Sequence, residues 1–124
     1  MRSADPATAD LTQLDNRATR IDLGPVRLLL RRIVERYHPE EIWLFGSRAR
    51  GEEHPGSDWD LMVLLPDDAV EADLDPLTAW RLQAGSGVRA DVVPCRRSEF
   101  RESRDWPNTL SYIVAREGVR LNVC

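Results

Sequence analysis

The chain has 124 residues, of which only two are cysteines, Cys95 and Cys124, and it contains no long hydrophobic run. Two cysteines fit neither a zinc-ligand spacing nor a disulfide framework, so we expect free thiols in a reducing compartment. No apolar run approaches the roughly 18 residues of a bilayer span, and the first 20 residues lack the apolar core of a signal peptide. These absences predict a cytoplasmic protein without membrane contact.

The chain also lacks an excess of basic residues, because its formal net charge is −4. This charge argues against direct binding of nucleic acid or of an anionic membrane. The apolar share of 42% and the charged share of 31% are typical of a globular protein. The length suits one compact domain. We expect residues 1–20, which are polar and without a sustained period, to be a disordered leader, and residues 21–124 to form a single domain.

Hydrophobic periodicity divides residues 21–124 into alternating helices and strands. Strands are predicted over 41–45, 58–65 and 88–93. Helices are predicted from Pro25, from residues 73–75, around 98–104 and over 108–117, with Leu77, Trp80 and Ala84 facing inward in the second of these. This order predicts an α/β (α+β) domain, a small mixed sheet flanked by helices on one face.

Two acids, Asp58 and Asp60, precede the wholly apolar continuation of the second predicted strand, Leu61 to Leu65. Side chains alternate along a strand, so the two carboxylates share a face, with Cα atoms about 6.6 Å apart. At that distance two unit charges repel by roughly 2–3 kcal/mol at an effective dielectric near 20. A divalent cation would reverse this repulsion, and oxygen ligands favour Mg²⁺ or Mn²⁺ over zinc. The alternative is that Asp58 or Ser57 only caps the start of the strand from solvent.

A glycine-serine break, Gly46-Ser47, follows the first predicted strand and precedes Arg48 and Arg50. Glycine lets the backbone approach a ligand closely, and the amides at the start of the next helical turn lack partners, which favours phosphate binding. The Ser47 hydroxyl and the two arginines can add contacts. The alternative is an ordinary strand-to-helix turn with solvated arginines. Combined with the acids, the turn predicts a triphosphate joined to carboxylates through metal ions.

A third acid, Asp91, alternates with the apolar residues of the third predicted strand and should share the face of Asp58 and Asp60 if the two strands are neighbours. Three carboxylates can hold two metal ions that stabilise the attacking and leaving oxygens of an in-line displacement. Asp91 could also accept the proton of the attacking hydroxyl.

The segments 46–51 (GSRARG) and 57–61 (SDWDL), followed by an isolated Asp91, resemble the minimal nucleotidyltransferase family of the DNA polymerase beta-like superfamily. The resemblance covers roughly residues 25–121. It implies transfer of a nucleoside monophosphate from ATP or another NTP, with two Mg²⁺ ions (or Mn²⁺), and release of pyrophosphate. It assigns metal binding and catalysis to the three aspartates, and nucleotide binding to Gly46, Ser47, Arg48, Arg50 and Ser57.

Many relatives of this size pair with a HEPN-domain ribonuclease toxin, and the nucleotidyltransferase acts as an antitoxin that adenylylates a tyrosine of the toxin. The resemblance therefore implies a HEPN-domain partner in a hetero-oligomer, or otherwise a homodimer. Two other hypotheses stay open: a nucleotidyltransferase subunit for a small hydroxylated acceptor, and a catalytically silent nucleotide-binding module that neutralises its partner by binding.

Overall fold

The computed structural model describes residues 21–122, so the leader predicted over residues 1–20 lies outside the described residues. The helices are α1 (Arg27–Tyr37), α2 (Ser47–Arg50), α3 (Pro76–Arg81), α4 (Arg97–Ser103) and α5 (Leu110–Glu117). The strands are β1 (Glu41–Phe45), β2 (Trp59–Leu65), β3 (Ala90–Arg96) and β4 (Val119–Leu121). Two 3-10 turns cover Gly24–Val26 and Glu71–Leu74. No helix in this part of the chain has the length and apolarity to cross a bilayer.

Local chemistry accounts for the ends of the helices. Pro25 lies in the 3-10 turn before α1. Helix α1 ends before His38, the residue that precedes Pro39, and His38 itself has a left-handed φ of 46°. The side chain of Asp75 accepts the N–H of Leu77 at the start of α3. The side chain of Thr109 likewise accepts the N–H of Tyr112 at the start of α5. These helices therefore begin and end within a few residues of the positions that the sequence predicts.

The four strands form one mixed sheet in the order β3-β2-β1-β4. Strand β1 is antiparallel to both β2 and β4, whereas β2 and β3 are parallel. Parallel neighbours need a crossover connection, and the segment with α3 supplies it. The small mixed sheet of an α+β fold is thus confirmed, and the predicted neighbourhood of the second and third strands is confirmed with it.

Each face of the sheet carries its own apolar cluster. The larger cluster joins α1 and α3 to alternate residues of the strands, among them Leu44, Leu61 and Val92. The smaller cluster lies on the other face, where Phe100 of α4 and Val114 of α5 pack against Phe45, Met62 and Leu64. The sequence predicted helices on one face of the sheet. In the structure, α1 and α3 pack on one face, and α4 and α5 pack on the other.

Two local predictions were wrong. Leu77, Trp80 and Ala84 are exposed rather than inward, and Ala79 is the buried residue of α3. Strand β3 also continues through Pro94 instead of ending there. Because β3 is an edge strand, the N–H that Pro94 lacks would have pointed away from β2, as the N–H of Ala90 does, so no ladder bond is lost.

Candidate active site at the ends of β1, β2 and β3

The turn after β1 approaches a carboxylate so closely that only glycine fits. Gly46 has φ 77° and ψ −159°, a conformation that residues with a side chain rarely adopt. A Cβ on this residue would collide with Oδ2 of Asp60 and would lie 3.0 Å from its Cγ. The register explains the contact, because Phe45, the residue before Gly46, pairs with Asp60. The structure therefore brings the predicted phosphate-binding turn and one predicted metal ligand together.

Asp60 and Asp91 are direct partners in the parallel pairing of β2 and β3. Neighbouring strands lie about 4.8 Å apart, so the two carboxylates lie side by side on one face of the sheet. Burial raises the pKa of the Asp60 carboxyl, and repulsion from Asp91 and then Asp58 raises it further, whereas Arg50 opposes these effects. The pair is thus electrostatically unfavourable without a cation.

Asp58 lies immediately before β2 and has a different partner. Its Oδ1 accepts a hydrogen bond from Nε of Arg89 at 3.1 Å, and Nη2 of Arg89 is also 3.1 Å away. The exposed fractions are 48% for the Asp58 side chain and 81% for the Arg89 side chain. Asp58 therefore shares the sheet face of Asp60, as predicted, but its carboxylate is held by an arginine.

The residues fit a magnesium ion in chemistry and in part in geometry. Within residues 21–122, no group of three or more histidine, cysteine, aspartate or glutamate side chains is arranged to hold a metal ion. Asp60 and Asp91 nevertheless offer adjacent carboxylates, and carboxylate oxygens are the ligands that Mg²⁺ prefers. The raised pKa of Asp60 means that its charged form is destabilised in the absence of a cation. Asp58 would complete the set if it left Arg89.

Arg48 and Ser57 form hydrogen bonds with each other at the edge of an open groove that both residues line. Nε and Nη2 of Arg48 donate to the carbonyl oxygen of Ser57 at 3.1 and 2.9 Å. The guanidinium carbon also lies 4.3 Å from the ring centroid of the buried Trp59. The Ser57 hydroxyl accepts the N–H of His54 at 2.9 Å. These contacts fix the 52–57 loop against β2, and nucleotide binding by Arg48 and Ser57 stays a prediction.

Arg50 lies at the end of α2, where it forms ion pairs with Glu52 at 2.9 Å and Glu117 at 3.3 Å. It is also close enough to lower the pKa of Asp60. Both ion pairs are exposed, and such pairs contribute little to stability and exchange readily. Nucleotide binding by Arg50 stays a prediction, and Ser47, at the first position of α2, is half-buried next to the same turn.

Sequence reasoning assigned no role to two residues that shape this site, Gln83 and Arg89. The side-chain amide of Gln83 donates to the carbonyl of Ala90 at 2.9 Å and accepts its N–H at 2.8 Å. Gln83 thus replaces a strand on the free edge of β3, directly before Asp91. Strand alternation from Asp91 indicates the face on which Arg89 lies, but no sequence signal indicates the role of Gln83.

Comparison with known proteins gives three findings. The family model of the nucleotidyltransferase domain matches residues 26–116. No curated protein shows significant sequence similarity to the chain. A chain in the solved structure "Crystal structure of the toxin-antitoxin with AMP-PNP" is similar at 21% identity and a TM-score of 0.49, over 74% of this chain and 68% of that chain.

The family match includes the Gly46 turn, both acids of the β2 segment and Asp91. It covers most of the chain, and the mixed sheet agrees with the polymerase beta-like fold that the motifs predicted. The chain belongs to the nucleotidyltransferase domain family.

Proposed function

We propose that this protein transfers AMP from ATP to a hydroxyl group, with Asp58, Asp60 and Asp91 holding two Mg²⁺ ions. The observation that carries the proposal is the contact of the Gly46 turn with Asp60, itself the direct partner of Asp91. A backbone turn that accepts phosphate and a paired carboxylate that needs a cation then lie against each other, as transfer from a nucleoside triphosphate requires.

The reaction forms a bond between the acceptor oxygen and the α-phosphorus and breaks the bond from that phosphorus to the bridging oxygen, so pyrophosphate leaves. When bound, the Mg²⁺ ions neutralise charge on the attacking and leaving oxygens. The Gly46 and Ser47 segment binds the triphosphate, and Arg50 adds positive charge beside Asp60. Asp91, which is exposed, accepts the proton of the attacking hydroxyl.

A protein acceptor, a tyrosine of a HEPN-domain toxin, is the form of this function that we favour, with the chain acting as a cytoplasmic antitoxin. Its support is the exposed apolar surface of Trp106, Leu110 and Ile113, of which Trp106 is 63% exposed. This surface lies on and beside α5, which covers the sheet face that also carries the acids. Exposed large apolar side chains on and beside this helix suit a macromolecular acceptor better than a small hydroxylated one.

The test uses ATP labelled at the α-phosphate, Mg²⁺ and the candidate HEPN protein. Label should move to a tyrosine of that protein, whereas label on the γ-phosphate should not. Asp60→Asn and Asp91→Asn should abolish the transfer, and Asp105→Asn, on the exposed turn between α4 and α5, should not. Transfer that survives in both active-site variants would contradict the metal assignment.

One observation favours a second candidate, the catalytically silent module that acts by binding. The carboxylate of Asp58 is held by Arg89, and residues 21–122 contain no ready three-ligand metal site. The same experiment separates the two, since tight association with the partner but no label in the presence of Mg²⁺ or Mn²⁺ would support the silent module. Label on an added small hydroxylated compound alone would instead identify a small-molecule acceptor.

A further inference from the structure

Asp58 and Arg89 are neighbours by the register of the sheet. Trp59 pairs with Ala90, and the N–H of Trp59 donates to the carbonyl of Arg89 at 3.0 Å. The residues one step earlier therefore lie side by side on the face that carries Asp60 and Asp91. This face therefore carries two neighbouring cross-strand pairs of charged residues. One pair is Asp60 with Asp91, and the other is Asp58 with Arg89.

The arginine and a metal ion compete for the same carboxylate. Two nitrogen atoms of Arg89 lie 3.1 Å from one oxygen of Asp58. A metal ion held by Asp60 and Asp91 would need the Asp58 carboxylate as its third protein ligand, and Arg89 binds that carboxylate instead. Within the described residues no group of three or more such ligands is arranged to hold a metal ion. Arg89 is largely exposed, and an exposed ion pair is weak enough to be exchanged for another partner.

An open groove beside the ion pair gives Arg89 room for a different, anionic partner. Arg89 lines an open groove of about 780 Å³ together with Gly56, Ser57 and Arg48. Arg48 already donates to the Ser57 carbonyl, whereas the partner of the Arg89 side chain within residues 21–122 is Asp58, in an exposed pair. A phosphate group can bind a guanidinium through two parallel hydrogen bonds to two oxygens, whereas both Arg89 nitrogens here share one oxygen of Asp58.

We propose that Arg89 is a positioning residue that withholds Asp58 from metal until an anionic nucleotide takes its guanidinium, so that metal and nucleotide bind cooperatively. This inference rests on the proposed function, because it assumes a metal site at Asp60 and Asp91. By linkage, if bound nucleotide raises the metal affinity by some factor, bound metal must raise the nucleotide affinity by the same factor.

The test measures Mn²⁺ binding by the nucleotide-free protein, by electron paramagnetic resonance of the free ion or by calorimetry. Arg89→Gln should bind Mn²⁺ about two- to fivefold more tightly than the wild type, the range expected from loss of an exposed ion pair. The same variant should bind ATP more weakly when EDTA removes all metal. These two opposite shifts distinguish exchange of the guanidinium from a general loss of structure, which would weaken both.

Two controls separate the contact from the charge. Arg31→Gln removes one positive charge from the exposed ion pair with Glu35 on α1 and should leave Mn²⁺ affinity unchanged. In an Asp58→Asn background, Arg89→Gln should no longer tighten Mn²⁺ binding, because the ligand that it releases is gone.

The inference is overturned if Arg89→Gln leaves Mn²⁺ affinity unchanged or lowers it while the wild type binds the ion. An equal gain in the Asp58→Asn background would also overturn it, because the effect would then be long-range charge repulsion. A wild-type protein that binds neither Mn²⁺ nor ATP, although it is folded, would refute the proposed function as well, and this result is distinct from the other two.

Discussion

Replacing Asp60 with asparagine removes one charge of the Asp60 and Asp91 pair while keeping the shape of the side chain. Side chains in direct cross-strand positions lie about 5 Å apart. Two unit charges at about 5 Å repel by about 3 kcal/mol at an effective dielectric of 20 and by about 0.8 kcal/mol in bulk water. Asp60 is half-buried and Asp91 is exposed, so solvent screening favours the lower part of this range. We expect Asp60→Asn to stabilise the metal-free protein by about 1 kcal/mol at pH 7.

Urea unfolding in EDTA measures this gain, and a thermal melt should show an increase of about 4 °C in Tm. The pKa of Asp60 is raised in the folded protein, so ionisation of Asp60 destabilises the fold, and the wild type loses this part of its stability as pH rises through the folded pKa. The advantage of the variant should therefore be present at pH 7 and should shrink as pH falls through that pKa.

Magnesium gives the experiment its second arm. The ion should stabilise the wild type, because it binds the folded protein and relieves the repulsion, and it should have little effect on Asp60→Asn. The matched control is Asp105→Asn, which changes net charge equally on an exposed turn and should alter neither stability nor the response to Mg²⁺. An Asp60→Asn protein that is no more stable than the wild type at pH 7 would refute the account of an unfavourable carboxylate pair.

Gly46→Ala should lower the free energy of unfolding by about 2 kcal/mol or more and abolish transfer, because it combines a positive φ with a collision at Asp60. Gly51→Ala is the control, since Gly51 has a similar φ but open space around it. It should lower the free energy of unfolding by about 1 kcal/mol in urea and retain activity. Gln83→Ala should speed hydrogen exchange at the amide of Ala90, measured by NMR or mass spectrometry, since it removes both bonds at the free edge of β3; unchanged exchange would exclude this role. Arg48→Ala should lower the free energy of unfolding by about 1–3 kcal/mol through loss of the loop carbonyl bonds and the indole contact, and full stability with a raised KM for ATP would instead support nucleotide binding by Arg48.

The sequence alone determined the elements that depend on local chemistry. The apolar run after Asp60 predicts a buried strand, the Gly46-Ser47 break ends β1, and Pro39 ends α1 before His38. These features depend on side-chain burial, φ preference and proline sterics within a few residues. The shared face of Asp58 and Asp60 follows from strand alternation in the same way.

Tertiary structure decided which of these pieces meet. The pairing of Asp60 with Asp91 depends on β3 lying parallel to β2, and the ion pair between Asp58 and Arg89 depends on the register of that pairing. The exposed position of Trp80 likewise depends on how α3 packs on the sheet. A pattern of period 2 or 3.6 indicates which face of a strand or helix is buried, but it does not give the order of the strands or the partner of each residue.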